Sequence, residues 1–348
     1  MATFHKVNIQ EIKQETANAV SVVFNIPDNL KEDFKFTAGQ YITLEKEING
    51  SQVRRAYSIC STPQSGALRV AIKQVENGVF STHATSVLKE EDQIEIAAPE
   101  GRFLLKPQPN KNYIGFAAGS GITPILSMLK TVLETEPTAN FTLVYGNKTV
   151  ADTIFYTELN SLKETYSDRF KLHYIFSREE VKNQLRGRID ENVTNYFVKN
   201  MYKETSFDEA FLCGPEEMIK EVSKTLANHK IAKENIHFEL FTVATDTKAL
   251  EEVKEGATAI TVVLDDEETT FTMQQTDNIL SASLRNDLDP PYSCQGGVCS
   301  SCLGKVTEGK AVMVKNSILT DSEIEEGLVL TCQAHPTTSK VTIDFDDV

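Results

Sequence analysis

The stretch "PYSCQGGVCSSC", residues 291–302, carries three of the chain's six cysteines within nine positions. Its spacing is Cys294-x4-Cys299-x2-Cys302, and the next cysteine, Cys332 in "LTCQA", follows after 29 intervening residues. What such thiols do depends on their compartment. The opening "MATFHKVNIQEIKQ" alternates polar and apolar residues as a strand does, with no apolar signal core or small-residue cleavage site. A cytoplasmic location is therefore expected. Thiols stay reduced there, which makes a disulfide framework a poor explanation and metal binding or catalysis a better one.

Four cysteines at x4, x2 and one long gap have the spacing that ligates a 2Fe-2S cluster in plant-type ferredoxins. A zinc ribbon more often has two paired C-x2-C arms, and this stretch has a single close pair. Gly296 and Gly297 suit a loop wrapped around inorganic sulfide, because backbone N–H groups must turn inward and glycine permits the close approach and positive φ. Ser293, Ser300 and Ser301 keep the wall of that loop thin. Cys294, Cys299, Cys302 and Cys332 are the expected metal ligands, and a one-electron relay is the expected role.

Beyond the cysteines, 348 residues exceed one ordinary hydrophobic core, so two to three domains are expected. With 40% hydrophobic and 24% charged residues the composition is globular, and no window has the ~18 apolar residues of a membrane span. The net charge of −15 argues against nucleic acid as a partner. Most of that charge lies in residues 250–348, which hold 18 Asp and Glu against 6 Lys and Arg. Short alternating runs such as "VSVVFNI", "QYITLEKEI" and "DQIEIAAP" predict a small antiparallel β-barrel over residues 1–108. Apolar strands alternating with helical stretches predict an α/β domain with a parallel sheet over 109–242. The charged, threonine- and alanine-rich run 243–256 reads as a linker. Residues 257–348 read as an α+β β-grasp fold, with a hairpin around Asp265–Glu268 and a helix capped near Asp277 or Asn278.

A relay needs a source of electrons. In "RRAYSICS", Arg55 and Tyr57 fall on the same side of an extended chain, where a guanidinium pairs with a diphosphate and a phenol stacks on a planar cofactor. An exposed edge strand with an arginine is the plainer alternative. "NGVFSTHATSVL" puts Gly78 and Ser81 where a loop enters a helix, an arrangement that favours phosphate. "AAGSGITPI" puts Gly119 and Gly121 between a strand and a helix that Pro124 opens; Pro124 also makes the match to G-x-G-x-x-G incomplete. "FLCGPEEM" places Cys213 and Gly214 at the end of a later strand, at the carboxyl edge where open α/β sheets bind ligands. Cys213 as an ordinary buried thiol is the alternative there.

Assembled, these motifs resemble the ferredoxin–NADP reductase superfamily with a C-terminal plant-type ferredoxin domain, over nearly the whole chain. The resemblance implies FAD, with Arg55 at the pyrophosphate, Tyr57 on the isoalloxazine, Ser58 near flavin N5, and Gly78, Val79, Phe80 and Ser81 around the pyrophosphate. It implies Gly119, Gly121, Thr123 and Pro124 at the nicotinamide nucleotide, Cys213 and Gly214 beside the nicotinamide, and Glu239 of "FELF" near the site of hydride transfer. Phe241 stands where the family has a terminal aromatic residue at the flavin, but here a phenylalanine replaces the usual tyrosine and the chain continues. "FSREE" resembles the Ser-Arg pair that holds a 2′-phosphate, so Ser177 and Arg178, with Arg186 and Arg188 adding charge, favour NADPH over NADH. An ion pair between Arg178 and a neighbouring glutamate is the structural alternative. The domain order is similar to reductases that serve multicomponent oxygenases, most of all the family serving the di-iron phenylacetyl-CoA epoxidase of aerobic phenylacetate degradation. Steroid hydroxylase reductases share it. Electrons passing from NADPH through FAD and the cluster to an oxygenase are the implied activity; a redox sensor or adaptor that does not turn over is the rival.

Overall fold

The alternating runs at the start of the chain form the strands β1 (Phe4–Thr16), β2 (Ala19–Asn25), β3 (Tyr41–Ile48), β4 (Ser51–Ser58), β5 (Leu68–Lys73) and β6 (Gln93–Ala97). The structure, a computed structural model, describes residues 3–242 and 244–348. The first two residues of the expected barrel segment, and Val243 at the start of the expected linker, lie outside that range. Two compact units result, one of Phe4–Glu239 and the other built on Leu240–Val348.

In the first unit the antiparallel strands order as β4-β3-β6-β1-β2-β5. A bridge between Ile59 and Val70, with the Cys60 N–H donating to Arg69 O at 2.8 Å, ties the end of β4 back to β5 and closes the barrel. Val7, Ile9, Val22, Ile42, Leu44, Val70 and Ile96 fill it. Helix α1 (Val79–Ser86) packs its Phe80 and Ala84 into the same core.

The α/β part follows with β7 (Asn112–Ala118), α2 (Ile122–Thr135), β8 (Asn140–Asn147), α3 (Tyr156–Thr165), β9 (Phe170–Phe176), β10 (Leu185–Arg186), α4 (Glu191–Asn195), β11 (Glu209–Cys213), α5 (Glu216–Asn228) and β12 (Ile236–Glu239). The sheet order is β10-β9-β8-β7-β11-β12, all parallel. The chain builds outward in one direction from β7, then crosses to its other side, which makes the junction of β7 and β11 the switch point. Helix α2 is buried nearly all round. Its Pro124 is the third helical residue, within the first turn where a missing N–H costs nothing. Beyond its other end the Arg169 guanidinium donates to the carbonyls of Leu133, Glu136 and Ala139 at 2.8, 2.9 and 3.1 Å, satisfying acceptors that helix geometry leaves open.

Barrel and α/β part are clasped by polar contacts. Ser127 Oγ donates to Ser61 O at 2.6 Å, and Thr62 Oγ1 donates to Glu134 at 2.8 Å. Arg69 of β5 lies over the Phe155 ring, 4.6 Å from its centroid, and pairs with Glu158 of α3 at 2.9 Å; Lys130 of α2 reaches the other Glu158 oxygen, also at 2.9 Å. Burial raises the Glu158 pKa, but the two cations and their hydrogen bonds outweigh it and hold the carboxyl below its ordinary value.

In the second unit, α6 (Thr247–Glu252) lies within the expected linker. Asp246 caps it, accepting from Lys248 N–H at 2.9 Å, and the Asp246 N–H donates to Val314 O at 2.7 Å. Six residues, "TKALEE", are too few to display a helical period. The β-grasp body comprises β13 (Ala257–Leu264), β14 (Glu267–Gln274), α7 (Ile279–Arg285), β15 (Leu303–Glu308), β16 (Ala311–Met313), α8 (Asp321–Glu325), β17 (Leu328–Leu330), β18 (Ala334–Pro336) and β19 (Lys340–Asp344). Its main sheet runs β14-β13-β19-β15-β17. Asp265 and Asp266 turn the first hairpin at φ 56° and 62°, and both N–H groups donate to the Asp346 carboxylate. Asn278 caps α7 by accepting from Ser281 N–H at 2.8 Å. Ile260, Val262, Ile279, Val341 and Ile343 form its core. No helix among the described residues is long and apolar enough to cross a membrane.

A carboxylate held below its unfolded pKa contributes stability that is present above the ordinary glutamate range and lost as pH falls through the folded value. Glu158→Gln is therefore expected to cost about 2 kcal/mol at pH 7, with the gap to wild type shrinking as pH falls below ~4.5. Thermal unfolding at several pH values checks this, and a gap independent of pH would contradict it.

Candidate functional site

Within the first unit, β4 carries Arg55 and Tyr57 on one face, opposite Leu44 and Ile42 of β3. Arg55 donates to the neighbouring Arg54 O at 2.6 Å and has no carboxylate partner among the described residues. Tyr57 packs against Phe80 at the start of α1, ring centroids 5.6 Å apart. Burial pushes its hydroxyl pKa up, the Arg55 charge offsetting part of that. Gly78 is the N-cap of α1 and contributes no side-chain cap; Ser81 Oγ accepts from Val75 N–H at 3.2 Å, folding the loop back onto the helix start. A side chain at Gly78 would collide with Ser81 and Val75. Arg55, Tyr57 and the Gly78–Ser81 turn thus gather on one side of the barrel, with an open guanidinium beside a half-covered ring.

The second cluster lies at the carboxyl edge of the parallel sheet. Gly119 adopts φ +55°, and the 3-10 turn Gly119–Gly121 leads directly into α2, with Thr123 Oγ1 donating to Ser120 O at 3.0 Å. A side chain at Gly121 would overlap the Cys213 carbonyl, so the glycine lets the two strand ends of the switch point meet. Gly214 is hemmed in by Met218 and Ala118 in the same way. Cys213 is fully buried, and burial and then the Glu239 charge raise its thiol well above the ordinary value. It pairs in register with Glu239 of β12, whose Oε2 accepts from Ser58 Oγ at 3.2 Å. That bond joins the last residue of β4 to the carboxyl edge of the parallel sheet. Ser177 and Arg178 follow β9, their N–H groups donating to Asn147 O and Lys148 O at 3.0 and 2.9 Å. Arg178 is exposed and makes no ion pair among the described residues; its neighbour Glu179 instead accepts from Val150 N–H at 2.7 Å. Arg186 ends β10, with Arg188 two residues on, beyond Gly187 at φ +134°. Phe241 is exposed, two residues past β12.

In the second unit the cysteine loop precedes β15. Cys299, Cys302 and Cys332 are buried and Cys294 partly so, and none forms a disulfide. Cys294 lies within hydrogen-bonding reach of Cys299 and Cys332, and Cys332 of Cys302. Among the described residues no three ligand-type side chains converge on one ion. A two-iron cluster takes its four thiolates as two pairs and needs no such triad. The Gly296 N–H points at Cys294 Sγ, 3.3 Å away. Gly297 adopts φ +72°, where a Cβ would stand 2.8 Å from Lys315 O. Thr331 donates to Cys302 O through both N–H and hydroxyl at 2.9 Å, and Gln333 Nε2 donates to Gln295 O at 2.9 Å, pinning the loop to the segment that carries Cys332.

Three family profiles match this chain: an oxidoreductase FAD-binding domain over residues 6–104, an oxidoreductase NAD-binding domain over 116–224, and a 2Fe-2S iron-sulfur cluster binding domain over 262–337. The chain is 38% identical to a 1,2-phenylacetyl-CoA epoxidase component of Escherichia coli K12, covering 99% of both. This chain belongs to the FAD- and 2Fe-2S-containing oxygenase reductases. It is also 31% identical to the ferredoxin reductase component of 3-ketosteroid-9-alpha-monooxygenase from Rhodococcus rhodochrous, covering 97% of this chain and 96% of that one. Among solved structures, phthalate dioxygenase reductase shares the fold at TM-score 0.66 and 23% identity over 98% of each chain. The protein is thus an NAD(P)H-dependent FAD and 2Fe-2S oxidoreductase, the reductase component of an oxygenase system.

The residues present fit those groups. An unpaired Arg55 beside Tyr57 suits a diphosphate joined to a flat ring, the Gly119 turn offers backbone and no side chain to phosphate, and the cysteine loop turns N–H groups toward sulfur. The geometry adds residues that no sequence motif marks. Tyr145 of β8 donates its hydroxyl to Gly119 O at 2.9 Å and Ile154 O at 3.4 Å, bracing the glycine turn from beneath. Lys73, at the end of β5, faces the Gly119 turn, its ammonium pKa lowered by burial and by the Lys148 charge. No local pattern announces either one.

Cys299→Ser is expected to remove the acid-labile sulfide and the iron–sulfur visible bands while leaving FAD at one per chain. Full sulfide content in that variant would exclude Cys299 from the ligand set.

Proposed function

We propose that this reductase draws electrons from NADPH and delivers them to the oxygenase of a phenylacetyl-CoA epoxidase system in the cytoplasm. The end-to-end 38% identity to the Escherichia coli protein carries the choice of client. Flavin supplies the conversion between a two-electron nicotinamide donor and a one-electron cluster. The chain's own residues bind and orient. Arg55 neutralises the FAD pyrophosphate with help from Gly78, Val79, Phe80 and Ser81, and Tyr57 covers the flavin ring. Ser58 holds a hydroxyl toward its reactive edge, kept in place by Glu239. Gly119, Gly121, Thr123 and Pro124 form the turn for the nucleotide phosphates, while Cys213 and Gly214 give the nicotinamide a buried, uncharged wall. Cys294, Cys299, Cys302 and Cys332 hold the cluster.

The preference for NADPH rests on Ser177 and Arg178. A guanidinium with no anionic partner among the described residues is suited to a phosphate dianion, and Arg188 adds charge to the same corner. The 31% identity to a ketosteroid monooxygenase reductase supports a second reading in which the client is a different hydroxylase. The acidic second unit favours a basic docking patch on whichever oxygenase is served, so electron delivery should slow as salt rises.

Anaerobic titration with NADPH and, in parallel, NADH tests the nucleotide assignment. Micromolar NADPH is expected to bleach both flavin and iron–sulfur bands, and bleaching by NADH alone would overturn the preference. Arg178→Ala is expected to raise the KM for NADPH ~10- to 100-fold and leave that for NADH unchanged, the loss of one or two charge-assisted hydrogen bonds. Reduction of purified phenylacetyl-CoA epoxidase oxygenase, against a ketosteroid hydroxylase as control, decides between the clients.

A further inference from the structure

Asn147 is the last residue of β8, in register with Phe176 of β9, and so stands between the Gly119 turn and the Ser177–Arg178 corner. Its backbone carbonyl is occupied, accepting from the Ser177 N–H at 3.0 Å and the Ser177 hydroxyl at 3.3 Å. Its side-chain Nδ2 is buried and makes no hydrogen bond among the described residues. Tyr145, two residues earlier on the same face of the strand, is close enough for its hydroxyl to feel the amide, but that hydroxyl is directed at Gly119 O and Ile154 O and no bond of normal geometry joins the pair. The nearby carboxylates are engaged too: Glu179 accepts from Val150 N–H at 2.7 Å, and Asp152 accepts from Thr149 Oγ1 at 2.7 Å.

A buried amide donor without an acceptor carries a desolvation penalty that nothing in the protein offsets, and native folds rarely keep one without reason. Here the orphan lies at the carboxyl edge of the sheet, where a ligand must pass. We propose that Asn147 Nδ2 donates to an oxygen of the adenosine half of the nicotinamide nucleotide, its ribose or the phosphate on it, as that half spans the gap from Ser177 and Arg178 to the Gly119 turn. The inference rests on the nucleotide reading given above. Asn147 is then a binding residue that lends affinity without touching the nicotinamide.

Calorimetry with 2′,5′-ADP on the FAD- and cluster-loaded protein tests it. Asn147→Leu, close in volume, is expected to weaken binding about fivefold, the loss of one neutral hydrogen bond. Its unfolding temperature without nucleotide should equal or exceed that of wild type, because a buried orphan has been removed. Asn147→Asp, which turns a donor toward an anionic ligand into a carboxylate, should weaken binding more than tenfold. Unchanged affinity in Asn147→Leu, or a lowered unfolding temperature that accounts for the weaker binding, would make the residue structural and overturn the proposal. Wild type that binds 5′-ADP but not 2′,5′-ADP would refute the NADPH preference alone, and the effect of Asn147→Leu on 5′-ADP would still decide this residue. Wild type that binds neither would remove the nucleotide from this edge and the inference with it.

Discussion

Parallel strand direction is the constraint on which the first unit depends. Because β7, β8, β9, β11 and β12 all run the same way, every one of their carboxyl ends opens on the same edge. Gly119, Asn147, Ser177, Cys213 and Glu239 therefore become neighbours although they are scattered over some 120 positions of chain. Reversing any one strand would send its terminal residue to the opposite edge. The switch point between β7 and β11 then opens the crevice, and glycine at 121 is required there because the Cys213 carbonyl already fills the space a side chain would need.

The barrel has to be held against that edge, and polar contacts do so. Ser58 ends β4 and donates to Glu239, so flavin-side and nucleotide-side residues share a hydrogen bond. On the other flank a guanidinium, an ammonium and a carboxylate meet in a partly buried group made of Arg69, Lys130 and Glu158, with the Phe155 ring beneath the arginine. Phe155 sits at φ 62°, an uncommon state for a bulky residue, at the start of α3. Buried ion pairs rarely gain much net stability over apolar packing, but they penalise any arrangement that separates them. That property suits a joint whose two sides must keep a fixed spacing for electron exchange.

Much of this was legible in the sequence because it is local. Cysteine spacing, glycine turns bracketed by a strand and a helix, and period-two alternation are each written within a dozen residues. The Asn278 cap and the hairpin at Asp265 lie where the pattern put them. What escaped is long-range. Tyr145 reaches Gly119 across 26 positions, and Arg69 reaches Glu158 across 89. Lys73 belongs to a different domain from the turn it faces. No residue type at these positions is unusual; only the folded neighbourhood gives a buried hydroxyl or an unpaired amide its meaning. The helix within the expected linker escaped for the opposite reason, being shorter than two turns and so below the length at which periodicity shows.

Both units place left-handed backbone at turns suited to a bound group. Gly119 at φ +55° and Gly297 at φ +72° turn the chain through the left-handed region, and Gln295 at φ +53° does so next to Cys294 without glycine's freedom. Left-handed residues point successive N–H groups to one side, which is what phosphate oxygens and cluster sulfurs require. A lysine or arginine in either place would bring a whole charge and a long, mobile chain, whereas an N–H brings a fixed partial charge already in position. For a protein that must bind a nucleotide, release it oxidised and bind again, fixed dipoles suit phosphates without the grip of a buried ion pair. Full charges stand beside these dipoles, Lys73 facing the Gly119 turn and Arg178 exposed after β9, where water moderates the arginine. A site that neutralised every phosphate with a buried cation would hold product as tightly as substrate.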